Sequence, residues 1–237
     1  MNVLDDSIIK FFNVVAHNAT FLNGAMFLVS GNNLIKGGFI VAVLWYIWFN
    51  KKHSSPDARR KVVLTIYACF FAIIVGRSLA ILLPYRARPI LNPNFNFTFQ
   101  INSFSWLNTW SSFPSDHAVL FFSLAMGIFL ISRKLGIISL VYVLIFVALP
   151  RVYLGFHYPS DILVGAVVGI FITWITFKLK PFQSLSTKTL ALSDRYPGLS
   201  YSLLFLLTFQ IACMFNDSRS IASYIVHSIQ NVFHLFF

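Results

Sequence analysis

Val62-Val63-Leu64-Thr65-Ile66-Tyr67-Ala68-Cys69-Phe70-Phe71-Ala72-Ile73-Ile74-Val75-Gly76-Arg77-Ser78-Leu79-Ala80-Ile81-Leu82-Leu83 carries a single charge, Arg77. At ~1.5 Å per helical residue the run reaches across the ~30 Å of hydrocarbon in a bilayer. A charge near its far end either snorkels to the interface or faces the interior of a bundle. Apolar runs recur on both sides, at 34–50, 114–132, 136–149 (closed by Pro150), 161–177 and 199–215. Residues 8–30 are more mixed and suit a helix that lies in the interface or spans against neighbours. The expected fold class is therefore all-α: a polytopic membrane helical bundle of about six core helices plus an extra C-terminal hydrophobic helix.

Composition agrees. Of the 237 residues 57% are hydrophobic and 11% charged, and 27 are Phe, more apolar side chain than a soluble domain of this size hides. The net charge of +11 does not signal nucleic acid, because the basic residues occupy short loops between apolar runs. Cys69 and Cys213 each fall within such a run and read as small buried hydrophobes. Asp5 and Asp6 at the start argue against a cleaved signal peptide. Residues 1–180 form the expected membrane-embedded bundle. Residues 181–237 form a cytoplasmic linker, 181–198, followed by hydrophobic and amphipathic helices.

The loops between the runs also set the orientation. Segments 51–61, 133–134 and 178–195 hold 5, 2 and 4 of the 18 Lys and Arg residues. By the positive-inside rule they are cytoplasmic. The alternate segments, 84–117 and 150–161, then share the opposite face. The first includes a Phe alternation, Phe95-Asn96-Phe97-Thr98-Phe99, which reads best as a surface loop dipping into headgroups, with a short strand as the other reading.

Those two segments hold Arg86, Arg88, Ser115, His117, Arg151, His157 and Asp161 on one face. In Pro150-Arg151-Val152-Tyr153-Leu154-Gly155-Phe156-His157-Tyr158-Pro159-Ser160-Asp161 a guanidinium can clamp phosphate oxygens, an imidazole can attack, and a carboxylate can orient the imidazole. Asp161 can equally cap the next helix. Upstream, Pro114-Ser115-Asp116-His117 opens a helix whose free amides favour an anion, and Ser115 offers a hydroxyl. Arg88 adds a second guanidinium fork. A second imidazole can protonate a leaving oxygen. Together these are the components that phosphoryl transfer needs.

The same residues resemble the phosphatidic acid phosphatase type-2/haloperoxidase superfamily, whose motifs are Lys-x6-Arg-Pro, Pro-Ser-Gly-His and Ser-Arg-x5-His-x3-Asp. The third matches Arg151, His157 and Asp161, with Pro150 in the Ser position. The second matches Pro114, Ser115 and His117, with Asp116 for Gly. The first keeps Arg88-Pro89 but has Ile81 for Lys, leaving Arg77 or Arg86 to supply the missing cation. The resemblance implies a metal-free, cofactor-free phosphatase with a phosphohistidine intermediate. His157 would be the nucleophile, Asp161 its orienting partner and His117 the acid, with Arg88, Ser115 and Arg151 binding phosphate.

The chain looks most like the bacterial undecaprenyl pyrophosphate phosphatases of that superfamily. Its partners would be a lipid phosphate or diphosphate and the surrounding lipids of a bacterial inner membrane, with the site on the extracytoplasmic side. A phosphatidylglycerophosphate, phosphatidate or lipid A phosphatase or phosphotransferase is the alternative within this class. A non-catalytic transporter or scaffold is the alternative outside it.

Overall fold

The computed structural model describes residues 3–50, 55–97 and 110–225, and among them every regular element is helical. In chain order the helices are α1 Val3–Asn18, α2 Thr20–Gly31, α3 Leu34–Phe49, α4 Pro56–Leu82, α5 Asp116–Ile131, α6 Arg133–Tyr153, α7 Pro159–Lys178, α8 Lys180–Arg195, α9 Pro197–Ala212 and α10 Asn216–Ile225. Three of them (α4, α6 and α7) are each long and apolar enough to cross a bilayer. The pairs α2–α3, bent by 65°, and α9–α10, bent by 90°, bring the number to five if each is one span.

The 16-residue α5 is shorter than these but central, packed against α4, α6 and α7. Ala118 to Ala125 are all buried, with no polar face turned to solvent, as expected of a helix enclosed on every side. Helix α7 shows how the enclosure works. Its outward stripe, Leu163, Val167, Phe171 and Trp174, is exposed, while Gly165, Gly169, Thr173 and Thr176 face inward. Apolar outside and small inside is the arrangement lipid selects, because close backbone approach supplies the packing that the hydrophobic effect cannot. A Cβ on Gly165 would stand 2.7 Å from the Ser115 carbonyl oxygen. One on Gly169 would overlap the Val119 carbonyl. The buried Ser123–Thr173 hydroxyl pair, 2.8 Å, ties the same two helices together.

Four local expectations are corrected. Helix α5 begins at Asp116, not Pro114, because Ser115 is the N-cap and its Oγ accepts from the Ala118 amide. Helix α6 does not close at Pro150. A π-type turn over Leu144–Ala148 precedes the proline, and widening the helix there accommodates the missing N–H, so α6 runs on to Tyr153. The 181–198 stretch is mostly helix. Helix α8 lies along α4 through Tyr67–Thr189, 2.6 Å, and Arg59–Asp194, 3.1 Å. Finally, Phe95 is no headgroup wedge: it is buried in the core, where its carbonyl accepts from Asn13 of α1. Phe97 packs beside it, and Thr98 and Phe99 lie outside the described residues.

Candidate active site

Helix α6 ends in a turn that places two of the candidate residues together. Gly155 adopts φ +67°, left-handed backbone that glycine enters without a Cβ penalty. The Phe156 amide bonds the Arg151 carbonyl at 2.9 Å and the Gly155 amide bonds the Val152 carbonyl at 3.0 Å, the paired 6→1 and 5→2 bonds of a Schellman ending. The His157 amide also reaches the Arg151 carbonyl, 3.2 Å. The chain thus folds back on itself over one turn, and the following helix starts at Pro159.

That start is capped by Asp161, whose Oδ2 accepts the Tyr158 amide at 2.8 Å. The Ser115 amide bonds the Asp161 carbonyl, 3.2 Å, so the beginnings of α5 and α7 are joined. The Arg88 segment docks on the same turn. The Ile90 amide donates to the Gly155 carbonyl, 2.9 Å, and Arg88 Nη1 donates to the Phe156 carbonyl, 2.8 Å.

These contacts open onto a cavity of about 420 Å³ whose lining includes Arg77, Arg88, Asp116, His117, Arg151 and His157. One ring nitrogen from each histidine and an Asp116 carboxylate oxygen lie within 4.8 Å of one another. Arg88 Nη1 is 3.2 Å from His157 Nε2, and Arg151 Nη2 is 2.7 Å from His117 Nε2. Guanidinium groups only donate, so both Nε2 atoms act as acceptors. His157 Nδ1–H is then free to donate to the Ser112 carbonyl, 2.8 Å. Its Nε2 lone pair, met by Arg88, is that of the tautomer an attacking imidazole needs. Burial lowers the His157 pKa below the ordinary 6.5, with Arg88 adding to the effect against the pull of Asp161 and Asp116. The ring is therefore neutral at pH 7.

Arg88 Nε, Arg151 Nε and His117 Nδ1 are buried without a hydrogen-bond partner. Three unmet donors around one cavity suit an anion. The same surroundings answer whether Asp116, His117 and His157 suit a divalent cation. Their Nε2 atoms face guanidinium groups, and five cationic side chains line the cavity against one carboxylate, so the local field opposes a metal ion.

The remaining sequence candidates are placed differently. Arg77 lines the cavity and pairs with Asp116 Oδ2 at 2.5 Å, beneath Trp110. This accounts for the acid in the second motif: Asp116 holds the arginine that stands one turn before Ile81. Arg86 is not among the lining residues. It bridges Asp5 of α1, 2.8 Å, and Asp161, 2.5 Å, and stacks on Tyr158, so it fixes the N-terminal helix to the α7 cap. Asp5 also accepts from the Ser160 amide and hydroxyl, and these bonds, with Arg86, hold its pKa low although burial alone would raise it. Ser115 is fully buried and spends its Oγ on the cap. Asp161 Oδ2 is 3.8 Å from His157 Nδ1, within ion-pair range, while the hydrogen bond that orients the ring comes from Ser112.

Lys36, Asn216 and Arg219 also line the cavity, and sequence reading missed all three. For Lys36 there was a signal, a lone ionisable residue within an apolar run.

A model of the PAP2 superfamily matches residues 86–184, from Arg86 through α7 into α8. The bacitracin transport permease protein BcrC of Bacillus licheniformis is 27% identical over 190 residues, 78% of this chain and 85% of that protein. The undecaprenyl-diphosphatase BcrC of Bacillus subtilis is 25% identical over 182 residues, 75% of this chain and 87% of that one. Among solved structures, the crystal structure of Aquifex aeolicus LpxE superposes with a TM-score of 0.50 at 22% sequence identity, covering 76% of this chain and 100% of that chain. That likeness speaks to the fold.

Proposed function

We propose that the chain, whose residues 86–184 match a model of the PAP2 superfamily, is a membrane lipid phosphatase that hydrolyses a polyprenyl diphosphate to the monophosphate and phosphate, on the extracytoplasmic face of a bacterial inner membrane. The observation that carries this reading is the pair of imidazoles bordering one cation-lined cavity. The face is supported by the basic loops. Arg59, within the basic 51–61 segment, and Arg77, in the cavity, are separated along α4 by 18 residues, or roughly 27 Å of helix. The exposed apolar stripe of α7, with Ile137, Val141 and Leu144 exposed on α6, suits a lipid tail that stays in the bilayer while only the head enters the site.

In the proposed reaction His157 Nε2 attacks the terminal phosphorus. A P–N bond forms and the bond from phosphorus to the bridging oxygen breaks. His117, neutral before the anionic substrate binds and protonated once it is bound, delivers that proton to the bridging oxygen and returns to the neutral imidazole, and the lipid monophosphate leaves. Water, deprotonated by His117, then attacks the phosphohistidine, releasing phosphate and restoring the His157 lone pair. Charge accumulates on the equatorial oxygens throughout, and the free donors of Arg88 and Arg151 are positioned to meet it.

The test is phosphate release from purified, detergent-solubilised full-length protein with undecaprenyl diphosphate, phosphatidylglycerophosphate and phosphatidate. The diphosphate is expected to show the highest kcat/KM, by about tenfold or more, and EDTA to leave it unchanged. A clear preference for either monoester would refute the substrate assignment.

Within the same reading, Arg77 rather than Arg86 takes the role of the missing Lys. Arg77→Gln is expected to lower kcat/KM by about 10- to 100-fold, the scale of one charged hydrogen bond. Asp116→Asn should cost less, and the double variant less than the product of the two, because both act through one ion pair. Full multiplicativity in a double-mutant cycle would break the link between them.

A further inference from the structure

The reaction above makes no use of two features of the cavity, Lys36 and the end of the chain. Lys36 is 4% exposed, lines the cavity and has no carboxylate partner among the described residues. It is held there by tight packing behind it. A Cβ on the neighbouring Gly37 would overlap the backbone of Ala212, so α3 and the end of α9 are in direct contact. Past Ala212 the chain turns by 90° into α10. Asn216 and Arg219, one turn apart on α10, close that side of the cavity. Arg219 is braced by the Met214 carbonyl, 3.1 Å, and by the Asn216 side chain.

The position of Lys36 relative to the two histidines is informative. Arg151, 2.7 Å from His117 Nε2, also donates to the Ser30 carbonyl at 3.2 Å. Ser30 and Gly31 end α2 and line the cavity with Lys36, which follows on the first turn of α3. Lys36 therefore enters from the side of Arg151 and His117, where the leaving group departs, whereas His157 is met by Arg88. Charge balance points the same way. Lys36, Arg77, Arg88, Arg151 and Arg219 face a single carboxylate, Asp116, a surplus of four positive charges. A phosphate monoester carries about two negative charges at neutral pH, and a second phosphate adds roughly one more. One phosphoryl group leaves much of the surplus unmet; two consume most of it.

We propose that Lys36, with Arg219 and Asn216 of α10, forms a second phosphate subsite that holds the phosphate the lipid keeps, making the site selective for diphosphates over monoesters. When the bond from the terminal phosphorus to the bridging oxygen breaks, negative charge moves onto the departing lipid phosphate. The Lys36 ammonium stabilises that charge while His117 supplies the proton. A monoester has an uncharged carbon chain at this position and draws nothing from the subsite. The inference rests on the assignment of His157 as nucleophile and His117 as acid.

The test measures binding, independently of lipid turnover. Purified full-length protein is titrated calorimetrically with methylenediphosphonate, which cannot be cleaved at the bridge, and with orthophosphate. The wild type is expected to bind the diphosphonate more tightly. Lys36→Met and Arg219→Gln should each weaken diphosphonate binding by about tenfold, the effect of one charged contact, and orthophosphate binding by less than about threefold. Lys36→Arg should restore the preference. Because Lys36 is buried, Arg219→Gln on the outer helix serves where Lys36→Met does not fold. Equal weakening of both ligands, or no preference in the wild type, would overturn the subsite. A wild type that prefers the diphosphonate but does not cleave undecaprenyl diphosphate would support the subsite and reject the lipid assignment.

Discussion

His157→Gln is expected to abolish phosphate release, by about 10⁴-fold or more, since the attacking atom itself is removed. Burial at 2% exposure and the Ser112 hydrogen bond give glutamine a comparable seat, so the protein should still fold and bind diphosphonate. His117→Gln should lose less, about 10²–10⁴-fold, the usual scale for a proton donor. Its slow step would include hydrolysis of the intermediate, so His117→Gln incubated with radiolabelled diphosphate and quenched in alkaline denaturant, where the P–N bond survives, should retain a labelled phosphohistidine that His157→Gln never forms. Label appearing in His157→Gln would reverse the two assignments. The pH profile is a further check. The nucleophile must be neutral, and its lowered pKa keeps it neutral down to pH 6.5 and below. The acid limb of kcat/KM should therefore fall below pH 6.5 in the wild type. An acid limb above that value would mean that His157 is not the group titrating.

Gly169→Val is expected to be the most damaging change outside the site. A side chain there would collide with the Val119 carbonyl and crowd the Ser123 amide, both backbone atoms of α5 that no rotamer change can move. The cost should be about 3 kcal/mol, at the upper end of overpacking effects. The change also forces apart the two helix starts that carry His117 and Asp161. Thermal unfolding in detergent should show a large loss of stability together with loss of activity. Gly24→Ala on α2 is the control: no atom lies within 4 Å of the added carbon, and alanine favours the helix by about 1 kcal/mol, so stability should be unchanged or slightly higher. If Gly169→Val were equally mild, the close approach of α5 and α7 would not be what fixes the site.

Several features were legible from local residue order. The apolar runs marked α4, α6, α7 and α9. The group Arg151, His157 and Asp161 was readable because a single turn, closed by Gly155, governs their relative positions. Errors came where a local rule met a tertiary context. Pro150 ordinarily ends a helix, yet the π turn before it lets α6 continue. Phe95 in an alternating polar segment resembles an interfacial residue, but α1 covers it. Residues 181–198 are polar enough to read as a linker, yet their side chains pair with α4 as a helix.

Residue order was enough to establish that this chain crosses a bilayer as helices and that two histidines and several arginines sit in the polar segments between them. Hydrophobicity and charge act residue by residue and leave their record in composition and order. Which cations share the cavity was settled by the packing of the helices. Arg86 is turned to Asp5 and Asp161, Arg77 is drawn in by Asp116, and Lys36 and Arg219 arrive from helices far away in the chain. The reason is that the direction a side chain takes from a helix enclosed in lipid depends on which neighbour packs against it. That packing is decided between small residues such as Gly37 and Ala212, or Gly169 and Val119, whose contacts are non-local and carry no period along the chain.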